Sequence, residues 1–186
     1  QARLILERAE DNPFLTDFYK DQSRDRFQTQ MFFLLSRFSQ QREMAQPDLF
    51  TRIAISDYLF EKDRIFAYLN LDEHELALYE QFYHILEPKI VKPDLVIILQ
   101  ADTDMLLKRI KQRGRPFEQE INQDYIASVN EAYNHFFFRY SETPLLVINT
   151  SDIDYVHRRE DLDDLLKQIL NMKQGTQYYV PRSRKR

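Results

Sequence analysis

The sequence predicts an α/β fold, a parallel sheet surrounded by helices, and two observations carry that expectation. Three short runs, RIAIS (52–56), DLVIILQA (94–101) and PLLVINT (144–150), are rich in β-branched and other apolar residues, as strands buried on both faces must be. Between them lie segments whose apolar residues recur at three- and four-residue spacing, so strands and helices alternate.

In chain order, a helix over 25–41 is predicted by Phe27, Met31, Leu34, Leu35 and Phe38, which share one face. The 52–56 strand follows, then a helix over 72–87 and the 94–101 strand. Asp102 or Thr103 suits the cap of a helix over 103–113, since a short side-chain oxygen there accepts from the orphan N–H groups of the first turn. A helix over 122–140, the 144–150 strand and a helix over 161–172 complete the order. Pro13, Pro47, Pro88, Pro93, Pro116 and Pro144 fall between these elements, where a missing N–H does least harm. The closing GTQYYVPRSRKR is basic and aperiodic and reads as a loose tail, giving one domain over 1–171 and a tail over 172–186.

Composition narrows the function. The 186 residues suit one compact domain; with no cysteine, a disulfide framework and a cysteine-based metal site or nucleophile are out. No apolar run reaches the roughly 18 residues of a membrane span, and the start lacks a signal-peptide pattern, so a cytoplasmic protein without a membrane partner is expected. A net charge of −4 argues against a nucleic-acid polymer as partner, so any polyanion site must be local. The chain holds 2 glycines, and neither GxxxxGK[ST] nor GxGxxG occurs, so a glycine-rich phosphate loop (P-loop) is absent from it.

Positive charge nevertheless concentrates in KRIKQRGRPFE (108–118), where Lys108, Arg109, Lys111, Arg113 and Arg115 crowd ahead of Gly-Arg-Pro. Such a cluster serves either as a solvated helix end favoured by the dipole, or as a flap that closes guanidinium forks over a transferring phosphoryl group with Gly114 and Pro116 as hinge.

Three motifs in order, LERAEDNPFLTDFYKD (6–21), TQMFFLLSRF (29–38) and RIKQRGRPFE (109–118), resemble the deoxynucleoside kinases, in particular the bacterial deoxyguanosine and deoxyadenosine kinase branch. The resemblance implies a P-loop kinase-type doubly wound parallel sheet that moves the γ-phosphoryl group of ATP, with Mg2+, to the 5′-hydroxyl of a deoxynucleoside. A purine substrate, a role in nucleotide salvage and a homodimer follow from the same resemblance. It gives Glu7 the role of general base, Gln30 and Arg37 contacts to the base, and Phe66 a stacking contact on it. Tyr19 and Glu118 would hold the sugar 3′-hydroxyl, and Arg109, Arg113 and Arg115 the donor phosphates. The loop over 150–156 would lie where the family's adenine-binding loop sits.

Two departures stand out. Where the family carries an acid, Arg and Ser or Thr at a strand end, this chain reads SDYLFEKDRIFA (56–67); the arginine is missing, leaving Asp57 for the metal and Lys62 or Arg64 as a displaced cation, with no metal ligand set assigned. The family's first strand and P-loop precede its catalytic glutamate, whereas Glu7 stands almost at the start. An encoded upstream segment is the favoured explanation, and without that strand apolar sheet surface should be exposed. The alternatives are a nucleoside monophosphate kinase of thymidylate type, for which Arg24, Arg26 and Arg37 would bind a second phosphate, and a non-catalytic nucleoside-binding fragment.

Overall fold

The computed structural model describes residues 2–46 and 53–181. Five strands and seven α-helices are found among them: β1 (Ala2–Ile5), α1 (Leu15–Lys20), α2 (Arg26–Met44), β2 (Ile53–Ser56), α3 (Lys62–Asn70), α4 (Glu73–Leu86), β3 (Val96–Gln100), α5 (Thr103–Arg113), α6 (Gln123–Phe138), β4 (Leu145–Asn149), α7 (Arg159–Asn171) and β5 (Thr176–Tyr179). Where one domain is expected from the sequence, the chain forms two compact units, Gln1–Val91 with Arg113–Tyr133, and Lys92–Gln112 with Asn134–Arg186. Pro47, Arg52 and the last residues of the expected tail, 182–186, lie outside the described residues.

In the first unit β1 and β2 pair in parallel, from Ala2 opposite Ile53 to Ile5 opposite Ser56. Leu4, Ile53 and Ile55 of this pair are more than half exposed. The core lies among helices: Leu34 of α2, Phe60, Ala67 of α3, and Tyr79 and Tyr83 of α4 are buried together, with Phe27, Met31 and Phe38 of the α2 stripe packed against them. A second cluster joins Leu15 and Phe18 of α1 to Tyr125 of α6. Helix α4 starts at a capping box, in which Asp72 accepts from the His74 and Glu75 N–H groups while Glu75 accepts from Asp72 N–H. Arg26, at the start of α2, pairs with Asp72 and Glu75 and so ties the two helix starts together.

The second unit holds a three-stranded parallel sheet in the order β3-β4-β5. Its middle strand is paired on both edges, and Leu145, Leu146, Val147 and Ile148 are all buried. Ile153 and Leu165 of α7 join Leu146 and Ile148 in this unit's core. The cap of α5 is Asp102, whose Oδ1 accepts from Met105 N–H at 2.8 Å. Strand β5 corrects the reading of 172–186 as a loose tail from its first residue: Thr176 to Tyr179 pair with Leu145 to Ile148, and the Tyr179 hydroxyl donates to Asp164 of α7. Its four residues carry no periodicity of their own; the ladder to a buried neighbour sets their conformation, entered through Gly175 at φ 70°. No helix among the described residues is long and apolar enough to cross a membrane.

Candidate active site

The carboxyl ends of parallel strands are where an α/β sheet presents functional groups, because the chain turns there toward the next helix. In the first unit Glu7 follows β1 and Asp57 follows β2, and the two are joined through the backbone: Glu7 N–H donates to Asp57 Oδ1 at 2.8 Å, and Asp57 N–H to Ile5 O at 3.2 Å. The Glu7 carboxylate is then gripped from two helices. Arg37 of α2 donates from Nε to Oε1 at 2.5 Å, and Lys62, the first residue of α3, lies 3.4 Å from Oε2.

Arg37 is itself anchored deep in the unit. Its Nη1 pairs with Oδ1 of the fully buried Asp63, and its guanidinium lies 5.1 Å from the Phe33 ring centre and 5.9 Å from that of Tyr58. Tyr79 OH donates to Asp63 Oδ2 at 2.8 Å, and the Gln30 amide nitrogen donates to the same oxygen at 2.8 Å and to Asp63 O at 2.9 Å. Both amide hydrogens of Gln30 are thereby occupied, which leaves Oε1 as its acceptor. Gln30 and Arg37 stand seven residues apart on one face of α2, so one helix presents both the amide and the cation that holds the acid.

The electrostatics follow from this packing. Burial works to raise the Glu7 carboxyl, but Arg37 and then Lys62 overcome it, so its pKa falls below the ordinary 4.5 and the group is an anion at neutral pH. Burial presses the Lys62 ammonium down and Arg37 adds to that, against Glu7 and Asp57. Arg37 is held charged: its two carboxylate partners outweigh its burial.

A third group gathers around Tyr19 on α1. Its ring stacks on Phe117 with centres 6.4 Å apart and 11° between planes. Burial first, then Tyr125 and Glu118, push its hydroxyl well above 10, with Arg113 acting against and Glu7 for that shift. Arg113 forks onto Glu118, with Nε 3.1 Å from Oε2 and Nη2 2.6 Å from Oε1, which sequesters the Glu118 side chain at 7% exposure. Gly114 adopts φ 65° immediately after Arg113, a left-handed turn that glycine supplies without a Cβ clash and that aims Arg115 at the Phe117 ring, 5.8 Å away.

The remaining expected site residues make other contacts. Phe66 packs edge-on against Tyr133 of α6 at 5.9 Å. Arg64 turns to Glu80 and the Tyr68 hydroxyl, so of the two proposed stand-ins for the missing strand-end arginine Lys62 alone meets Glu7. Arg109 belongs to the second unit, where it donates to Thr150 Oγ1, Thr150 O and Ile153 O and lies over the Tyr155 ring at 5.6 Å.

A sequence model of the deoxynucleoside kinases matches residues 3–173. The chain belongs to the deoxynucleoside kinase family. It is 33% identical over 171 residues to a deoxyguanosine kinase of Bacillus subtilis, covering 89% of this chain and 83% of that one. To a deoxyadenosine/deoxycytidine kinase of the same organism it is 26% identical over 174 residues, covering 90% and 79%. Its fold is similar to the solved structure of a deoxyadenosine kinase from M. mycoides with bound dCTP, at TM-score 0.75 and 23% identity over 92% of this chain and 87% of that one.

Within this deoxynucleoside kinase fold, sequence reasoning missed Asp63, Tyr79 and Tyr133. Asp63 unites Arg37, Gln30 and Tyr79, and Tyr133 is shifted upward by burial within the field of Arg37, Glu7 and Asp63. The available signal was local: Asp63 is an acid on the buried face of α3, beside Ile65 and Ala67, and a charge buried there demands partners.

Proposed function

We propose that the protein transfers the γ-phosphoryl group of ATP to the 5′-hydroxyl of a purine deoxynucleoside, as a step of nucleotide salvage. The observation that carries this reading is Glu7: a carboxylate kept anionic by Arg37 and Lys62 within the unit that also holds Gln30, Tyr19 and Glu118.

Glu7 takes the proton of the 5′-hydroxyl as its oxygen attacks phosphorus. Arg37, fixed by Asp63, keeps the carboxylate oriented. Gln30 Oε1 accepts an N–H of the base, and Phe66 supplies an aromatic ring for stacking. Tyr19 and Glu118 hold the 3′-hydroxyl, with Arg113 tying Glu118 to the hinge at Gly114 so that sugar binding and closure of the cationic segment are coupled. Arg113 and Arg115 neutralise donor phosphates.

Magnesium is the ion this chemistry uses, and it supplies charge neutralisation of the phosphates. Asp57, exposed and with one oxygen on the Glu7 amide, would hold it together with substrate phosphates. Arg26 and Arg37 are paired with carboxylates, which counts against a second acceptor phosphate and favours a nucleoside over its monophosphate. Leu78, Phe82 and Ile85 form an exposed apolar stripe on α4, at 41–59% exposure, and support a homodimer packed through that helix.

The test is phosphorylation of the four deoxynucleosides with ATP and magnesium by protein expressed from the complete coding sequence. Deoxyguanosine or deoxyadenosine should be turned over at the highest kcat/KM; preferred turnover of a deoxynucleoside monophosphate would overturn the reading.

A further inference from the structure

We propose that Lys62 is a catalytic residue whose ammonium rests on Glu7 before reaction and passes to the oxygens of the transferring phosphoryl group as the proton arrives on Glu7. The proposal rests on the kinase reading above and adds to it the cation that the strand end lacks.

The position of Lys62 breaks three local rules at once. It opens α3, where the helix dipole disfavours a cation. Its side chain is 15% exposed, whereas a lysine ordinarily extends its head into water. It also shares one carboxylate with a second cation, Arg37. The compensation visible in the structure is an ion pair of 3.4 Å to Glu7, the nearby Asp57 charge and the Tyr58 ring at 6.0 Å. Residues that violate local preference with so little return are expected where function demands them.

Orienting Glu7 does not require Lys62. Arg37 holds Oε1 at 2.5 Å, and Asp57 fixes the Glu7 backbone N–H. Arg37, in turn, is unsuited to move: Asp63 pairs with it at full burial, and Phe33 and Tyr58 pack beside its guanidinium. Lys62 has the longer contact, a flexible four-carbon stem and three donors that need no fixed plane.

The chemistry couples the two events through one carboxylate. The bond from O5′ to the γ-phosphorus forms, the bond from that phosphorus to the bridging oxygen breaks, and ADP leaves with the electron pair; the hydroxyl proton goes to Glu7. A protonated Glu7 no longer attracts a cation, while the transferring group carries charge on its equatorial oxygens. The Asp63–Arg37 pair stays neutral as a unit, so Lys62 is the cation released.

The experiment compares wild type, Lys62→Met and Lys62→Arg in steady-state kinetics across pH, with calorimetric binding of the nucleoside alone and of nucleoside plus ADP, magnesium and fluoroaluminate, a phosphoryl mimic. Glu7, Asp57, Arg37 and the Tyr58 hydroxyl are the groups facing Lys62 whose charge the profile must account for. In Lys62→Met, kcat should fall by about 100-fold or more at every pH, the range seen when one preorganised donor is removed. Nucleoside affinity should stay within about twofold while binding of the mimic is lost, and Lys62→Arg should restore part of kcat. Recovery of Lys62→Met to the wild-type rate at higher pH would show action only through the titration of Glu7 and overturn the proposal, as would unchanged binding of the mimic. A wild type that phosphorylates no nucleoside would instead remove the kinase reading, and the proposal with it.

Discussion

Asp63→Asn tests whether the buried network was identified correctly, because the substitution keeps the shape and removes one acceptor. Arg37 Nη1, Gln30 Nε2 and Tyr79 OH all donate to that carboxylate. An amide offers one acceptor oxygen and turns an NH2 toward a donor on its other side. Removing one partner of a buried ion pair costs about 3–5 kcal/mol, and a stranded buried donor about 1–3 kcal/mol; the two losses overlap here. Because Glu7 still pairs with Arg37, the lower end, about 3 kcal/mol, is the expected loss. With a urea m-value of roughly 1–3 kcal/mol/M, the unfolding midpoint should drop by about 1–3 M. The chain holds 11 tyrosines and no tryptophan, so far-UV circular dichroism with tyrosine fluorescence reports the transition. A double-mutant cycle with Arg37→Met should show coupling, the pair of changes being less destabilising than their sum. A midpoint shift below about 0.3 M with an unchanged m-value, or strict additivity in the cycle, would refute the network as the source of stability.

Glu7→Gln should lower kcat by about 10²–10⁴ with nucleoside affinity little changed, and equal loss of both would argue against a base. In the wild type, with Glu7 depressed by its cations, kcat/KM should hold level as pH falls through neutrality and decline only below the ordinary carboxylate range; Arg37→Met removes a cation, raises the carboxyl and moves that limb to higher pH. Gln30→Ala should weaken nucleoside binding and flatten the preference among bases, and an unaltered four-nucleoside panel would remove Gln30 from the pocket. Replacing Glu118 by Gln should cost kcat/KM with a 2′-deoxynucleoside but add little to the defect of a 2′,3′-dideoxynucleoside, and an equal loss with both would detach Glu118 from the sugar. Phe82→Glu, in the exposed stripe of α4, should shift the sedimentation coefficient toward monomer without a fall in Tm, and an unmoved coefficient would place any dimer contact elsewhere.

What the sequence discloses depends on how far each element depends on its own residues. β4 was legible because a run buried on both faces is apolar throughout, and α5 because its cap and its cationic end mark both limits of Thr103–Arg113. β1, β5 and α1 span four to six residues, too few for periodicity to assert itself, and neighbours fix them. α3 escaped notice for a related reason: it spans only nine residues and opens on Lys62 and Asp63, polar residues that the fold turns inward. In the candidate site, the family resemblance singles out Glu7, Gln30 and Arg37, since each of its motifs lies in one stretch of chain. The links Asp63 makes to α2 and α4 could not, because they join segments separated by 16 to 33 residues, and only packing brings them together.

The order of charges in the first unit runs Asp63, Arg37, Glu7, Lys62, alternating in sign, with the inner pair at 0% and 4% exposure and the outer pair, Glu7 and Lys62, at 21% and 15%. A base needs two things that compete: a fixed orientation, which favours strong partners, and an affinity for a proton, which strong partners reduce. Asp63 addresses the conflict by drawing on Arg37 from behind, so that part of the guanidinium's charge is answered before it reaches Glu7. Remove Asp63 and Arg37 acts on Glu7 alone, which should depress the carboxyl further and weaken it as a base even in protein that remains folded. Measured at a temperature where Asp63→Asn is still native, kcat should therefore fall more than nucleoside binding accounts for; a kcat equal to wild type would mean that the chain of charges ends at stability and does not reach the chemistry.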